Sequence, residues 1–163
     1  MRRDSPLSSR DVTFREFHTG DAPAIKHLID TTITVSYAMF PPAYRQHWME
    51  DHHSITQIVA EASDGYTLIA ERMAAIVGVG TLLRGQIQSV FIHPQYQRRG
   101  WGTTLIHRLE DHARKDGVTT LRLSALPLSK PFFEGLGYHV VAENRFHDAA
   151  LRQFAYYVME KNV

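Results

Sequence analysis

The sequence predicts a mixed α/β (α+β) domain organised around one sheet. Three observations support this. Seven short β-rich runs and four helical patterns follow one another in the order β-α-α-β-β-β-α-β-α-β-β. No stretch between them reads as a linker, an internal repeat or a low-complexity tract. At 163 residues the chain suits one domain with a sizeable core and is short for two.

Val12 to Phe17 (VTFREF) alternates apolar and polar side chains, the period of a half-buried strand. GDAPAIKHLIDTTI then predicts a helix, with Asp21 as N-cap, Pro23 in the first turn and Ile25, Leu28, Ile29 and Ile33 on one face. Ser36 to Ser63 is less regular; it opens at PPAY and predicts a second helix over Tyr44 to Ala62. GYTLIAE and AAIVGVGTLL, separated by Arg72 and Met73, predict a β-hairpin, and GQIQSVFIHP predicts a strand closing at Pro94. From Trp101 the period turns helical, with Leu105, Ile106, Leu109 and Ala113 on one face and Gly117 at C′. TTLRLSAL predicts a strand. SKPFFEGLG predicts a short helix with Ser129 as N-cap, Pro131 in its first turn and Gly137 at its end. YHVVAE and LRQFAYYVMEK predict two final strands around the loop Asn144 to Ala150. The opening MRRDSPLSSR is basic and Ser-rich with no apolar core behind it. It reads as a flexible tail over residues 1–11, ahead of a single domain over 12–163, in a cytoplasmic protein.

Composition narrows the function. With 44% apolar and 21% charged residues, the chain has the make-up of a globular protein. A formal net charge of +1 leaves no basic excess to neutralise many phosphates, which argues against a nucleic-acid partner or a membrane surface. No apolar segment approaches the roughly 18 residues that span a bilayer. Cysteine is absent, so disulfides, thiolate zinc sites and Cys nucleophiles are excluded. Three of the ten histidines, His47, His52 and His53, cluster with Glu50 and Asp51. They lack the H-E-x-x-H spacing, and His47 and His52 do not share a helix face, so they read as surface histidines and no metal is expected.

The chemistry concentrates in QRRGWG, between a strand end and a helix start. A helix N-terminus offers backbone N–H groups without partners and about half a positive charge. Gly100 and Gly102 remove the side chains that would hold an anion away, and Arg98 and Arg99 add charge beside those amides. The stretch reads either as a pyrophosphate cradle or as a basic turn whose glycines serve φ alone. GVGTLL continues as strand rather than opening a helix, so it is not a dinucleotide fingerprint, and no Walker A lysine motif is present.

VFIHPQYQRRGWGTTLI resembles the acetyl-CoA-binding motif of the GCN5-related N-acetyltransferases (GNAT), Q/R-x-x-G-x-G/A behind a strand ending in His-Pro or Asp-Pro, matched here by Gln97, Gly100 and Gly102. SKPFFEGLGYHVV resembles the later family motif in which a short helix ends LGF or LGY. The element order agrees from Val12 onward, and the two motifs together favour the cradle. The resemblance implies the GNAT-like acyl-CoA N-acyltransferase fold: a central, mostly antiparallel mixed sheet split into a V and flanked by about four helices.

It implies acetyl-CoA as co-substrate, an amine acceptor as partner, and a monomer or homodimer. By resemblance, a bulge splays the strand before the loop, so that Val90, Phe91 and Ile92 pair with pantetheine. The pyrophosphate would sit on the amides of Arg98 to Thr103 (Arg98, Arg99, Gly100, Trp101, Gly102, Thr103), with Arg98, Arg99 or Lys130 reaching the 3′-phosphate. A strand amide near Val90 to Ile92 would serve the oxyanion, and holding the reactants together would supply most of the rate. The chain departs from the pattern at three side chains. Phe133 stands where many relatives carry a Tyr that protonates the leaving thiolate, Leu126 matches an Asn, and neutral Gln88 matches a carboxylate. Water, a substitute residue, or unaided departure of the thiolate (pKa about 8.5) would then complete the reaction. Gln88 and Ser124 are the catalytic candidates, with Ser89 beside them. Tyr37, Tyr44 and Glu50 are acceptor-binding candidates in the early helical segment, which also carries His47. Tyr44 and Trp48 also fit a core-facing role, Glu50 a solvated face, and His93 a turn. Arg145, His147 and Asp148 are candidates in the last loop. The expected reaction is acetyl transfer to a primary amine of a small molecule or protein by direct attack in a ternary complex. The alternatives are an inactive CoA-binding regulatory domain and a transferase of longer acyl groups.

Overall fold

The computed structural model describes residues 11–163, so all of the expected tail except Asp11 lies outside the described residues. The strands are β1 (Thr13–Glu16), β2 (Tyr66–Arg72), β3 (Ala75–Leu83), β4 (Gln86–Ile92), β5 (Thr120–Ala125), β6 (His139–Arg145) and β7 (Ala155–Asn162). The helices are α1 (Ala22–Ser36), α2 (Pro42–His47), α3 (Ile55–Asp64), α4 (Trp101–Lys115) and α5 (Lys130–Gly135). All seven strands join one sheet in the order β1-β2-β3-β4-β5-β7-β6, antiparallel except where β4 meets β5.

Successive strand residues face opposite sides of the sheet, and two cores result. Leu68 and Leu82 join Leu105, Ile106 and Leu109 of α4 on one face. Ile69 and Val79 join Ile25, Ile29 and Ile33 of α1 and Ile58 of α3 on the other. A Cβ at Gly80 would stand 3.0 Å from the side chains of Leu105 and Leu109, so the missing side chain lets α4 close onto β3. The hairpin turns use left-handed residues, Met73 and Ala74 after β2, and Arg84 and Gly85 after β3, which matches strand twist. Gly117 ends α4 at φ 78°, with Val118 N donating to Ala113 O at 2.9 Å, the C′ geometry its position predicts.

The split in the sheet has a visible cause. Thr81 pairs with Ser89 but Leu82 pairs with Ile87, leaving Gln88 as an extra residue in β4. On its other side β4 pairs with β5 only through Gln86–Arg122 and Ile87–Leu123. Beyond Ile87 the two strands part, and the β5-facing edge of β4 is left unpaired.

Several local expectations need correction. The segment expected as one helix over Tyr44 to Ala62 is broken, which brings the helices among the described residues to five. A wide π-type turn over Trp48–His52 follows α2, and the Ser54 hydroxyl accepts from Gln57 N at 3.1 Å to start α3 afresh. Asp21 does not cap α1 with its side chain. Its carboxylate takes the Arg15 guanidinium at 2.8 and 2.9 Å, which holds its pKa below the usual range, and accepts from His18 N at 2.7 Å. Ser129 donates to Leu126 O at 3.2 Å instead of capping α5. The last strand begins at Ala155, with Ala149–Leu151 forming a 3₁₀ turn before it.

Candidate active site

The V between β4 and β5 opens a long cleft. One half runs along the free edge of β4 to the loop before α4. In that loop the Gln97 side-chain amide donates to Ile92 O at 3.0 Å, and His93 Nδ1 accepts from Gln95 N at 3.2 Å, pinning the chain as it leaves the strand. Arg98 (φ 61°) and Gly100 (φ 83°) are both left-handed, so the backbone curls into a concavity before Trp101 starts α4. The helix ladder begins with Thr104 N donating to Gly100 O at 3.1 Å, leaving the earlier amides without intrahelical partners. A Cβ at Gly100 would meet no protein atom within 4 Å, and one at Gly102 would make ordinary contact with Phe132 at 3.4 Å and Ile92 at 3.7 Å. The hollow above these amides is open and bordered by backbone, which fits a pyrophosphate.

The cations there divide. Arg98 lines the cleft. Arg99 lies over the rings of Tyr96 (5.4 Å) and Trp101 (5.8 Å), which stack on each other, and is not on the cleft wall. Lys130 is held by Glu134 at 2.6 Å and by the face of Tyr157, also off the wall. Val90, Phe91, Ile92, Gly100, Trp101, Gly102 and Thr103 all border the cleft. Trp101 does so from a buried position, with its indole in the core.

The other half is walled by side chains. Buried Phe40 is the hub of an aromatic cluster with Tyr37 (6.4 Å), Tyr44 (5.5 Å), Trp48 (6.5 Å), Phe146 (6.2 Å) and Phe154 (4.5 Å). Tyr37 and Tyr44 thus both pack and face the cleft, and burial raises the pKa of each hydroxyl. Glu50 is elsewhere: it is exposed and accepts from the Gln46 amide at 3.0 Å. Arg145 and His147 reach the cleft, whereas Asp148 caps Ala150 N at 2.8 Å.

At the centre, Gln88, Ser124, Leu126 and buried Phe133 all line the cleft, and the Gln88 amide donates to Gln86 Oε1 at 3.3 Å. Phe133 packs on Tyr138 (5.8 Å) and offers no proton. Sequence reasoning grouped His53 with surface histidines, but only 8% of it is exposed, and it lies edge-on to Phe91 at 5.2 Å on the cleft wall. Burial, with help from His52 and Lys26, pushes its pKa down to about 4. The signal that could have separated it is Ser54, whose N-cap position ends the turn at His53 and swings that side chain inward.

The chain matches the family model described as Acetyltransferase (GNAT) domain over residues 36–160. Among solved structures it is similar to a GCN5-related N-acetyltransferase from Rhodopseudomonas palustris, with 24% identity, TM-score 0.85, and 98% of this chain and 100% of that one covered. It is also similar to the PaiA N-acetyltransferase of Thermoplasma acidophilum in complex with coenzyme A, at 16% identity and TM-score 0.78, over 93% of this chain and 99% of that one. A third is YncA of Salmonella typhimurium, a structure with acetyl-CoA, at 20% identity and TM-score 0.65, covering 93% of each chain. These likenesses are of fold, and the family match adds the motif-bearing residues, so a V-split sheet with a glycine-bordered amide hollow at its mouth places this chain in the GNAT acetyltransferase family.

Proposed function

We propose that the protein is an acetyl-CoA-dependent N-acetyltransferase that acetylates a primary amine by direct attack within a ternary complex. The observation that carries this reading is the continuity of the cleft, which joins the amide hollow of α4 to an aromatic-walled chamber along the unpaired edge of β4. Bound acetyl-CoA would supply the thioester. Arg98 to Thr103 would hold its pyrophosphate, with Arg98 the cation on that wall. The free backbone groups of Val90, Phe91 and Ile92 would pair with pantetheine, and an amide among them would donate to the developing oxyanion. Tyr37 and Tyr44 would form the acceptor wall with Trp48, and Gln88 and Ser124 would orient the reacting groups from either side. With Phe133 in place of a hydroxyl, the thiolate leaves without an acid from α5, which a pKa near 8.5 permits.

The test is release of free CoA thiol from acetyl-CoA across a panel of primary amines. Amine-dependent release supports the reading. Binding of acetyl-CoA without release above background with any amine would leave a CoA-binding domain instead.

A further inference from the structure

Behind the acceptor half of the cleft lies an internal cavity of about 10 Å³, about the space one water occupies. Apolar residues of α1, α3 and β3 form part of its wall, and Thr67, Thr81, Ser89, His53 and Glu61 form the rest. The buried Thr67 and Thr81 hydroxyls are 2.9 Å apart and hydrogen-bonded to each other. His53, Glu61 and Ser89 line both this cavity and the open cleft, so they are the partition between the two.

Within that partition His53 has an unusual environment. It is 8% exposed, and no hydrogen bond from the described residues perturbs its ring. Phe91 at 5.2 Å and Trp48 at 5.8 Å fix the plane of the imidazole. Phe91 belongs to the stretch of β4 that lacks a β5 partner, so the ring stands one side chain from the strand edge the thioester would follow. The buried side-chain nitrogens left without a partner among the described residues are those of Arg45, Arg72 and Trp101, so the His53 nitrogens keep access to the cleft although the ring is mostly buried. An incoming ligand can therefore hydrogen-bond to the ring from that side. The charged groups around it are Lys26 of α1, held by Asp30 at 2.6 Å, His52 of the wide turn, and Glu61 of α3. The strands beneath contribute the uncharged Thr67, Thr81, Ser89 and Phe91.

We propose that His53 takes the proton from the attacking amine and that the polar cavity behind it carries the proton away. The proposal rests on the acetyltransferase reading above. The amine lone pair forms the C–N bond, and the C–S bond breaks with its electron pair staying on sulfur. The nitrogen, now part of an amide, gives its proton to the imidazole. Such a nitrogen is a far stronger acid than the free ammonium ion, so a weakly basic imidazole suffices as acceptor. A ring that burial keeps uncharged between turnovers is ready for each one. The imidazolium is then discharged to solvent through the Ser89 hydroxyl, the threonine pair and the Glu61 carboxylate.

The test compares wild type with His53→Gln, which keeps a polar side chain but cannot carry a proton, using 2-phenylethylamine as probe acceptor to suit the aromatic wall. We expect the acetyl-CoA Kd within about twofold, the KM for the amine within about threefold, and kcat about 100-fold lower. Wild-type kcat in His53→Gln overturns the proposal and leaves the acetyltransferase reading intact. A second measurement uses the wild-type protein alone. The His53 nitrogen resonances should move on binding a CoA adduct that carries 2-phenylethylamine through an acetyl link on sulfur, and stay in place with CoA. Identical spectra for the two also overturn it. Failure of CoA and adduct alike to bind removes the acetyltransferase reading, and this proposal with it.

Discussion

The two halves of the cleft are built from different material. The donor half is backbone: a bulge at Gln88, an unpaired strand edge, two left-handed residues and the first amides of α4. The acceptor half is side chains drawn from distant segments, with Phe40 joined to Phe146 and Phe154 across the fold. A backbone site constrains residue type at fixed spacing, whereas a side-chain wall can be rebuilt with any large ring. The first should be broken by one methyl-sized change, and the second should yield in smaller steps.

The sharpest way to break the donor half is Gly100→Val. A β-branched residue at φ 83° is strained by about 2 kcal/mol, and its side chain enters the hollow. We expect the acetyl-CoA Kd to rise by about 100-fold or more, with a cooperative thermal melt retained. An unchanged Kd would falsify the cradle.

On the acceptor side the largest effect is a pH dependence. The unfolded His53 takes up a proton as pH falls through 6.5, while the folded ring resists until about 4. The unfolded state therefore binds more protons in that window, and stability falls as pH falls. About 3 kcal/mol present above pH 6.5 should be lost on approaching pH 4, with no further loss from this group below. Urea melts at several pH values check this, and His53→Gln should lack that share of the acid-side loss. A variant with the wild-type slope would show that His53 is not the titrating group.

A smaller effect concerns the scaffold beneath the donor half. Glu110 of α4 is buried and accepts from Lys161 at 2.8 Å and from the Tyr138 hydroxyl at 3.1 Å, tying α4 to β7 and to the turn between α5 and β6. Lys161→Met leaves that carboxylate only the more distant Arg114, at 3.7 Å, as a cation, and we expect about 2 kcal/mol lost in a denaturant melt. The acetyl-CoA Kd should stay within about twofold, because the loop geometry does not pass through Lys161. The smallest effect is at Phe133→Tyr. If the thiolate leaves unaided, kcat should change by less than about threefold, and a tenfold rise would show that protonation limits the rate.

The same contrast explains what was legible in the sequence. Gln97, Gly100 and Gly102 could be read because a tight strand-to-helix turn over an open hollow dictates them locally. The seven strands and their order were legible from period and turn residues. The bulge at Gln88 was not, since an extra residue is defined only by its pairing with Thr81 and Leu82 across the hairpin. The break at Trp48–His52 contains no Gly or Pro to punctuate it, and only Ser54 marked it. Glu50 looked available as an amine anchor, yet the turn points it away from the cleft to Gln46. His53 became visible only when two cavities met on either side of it.

The central claim is that backbone holds the CoA pyrophosphate, whatever the acceptor side recognises. Calorimetric titration of the protein with acetyl-CoA and with desulfo-CoA tests it most directly. The account predicts saturable binding of both, one per chain, since each carries the pyrophosphate. Absence of binding by either would contradict it.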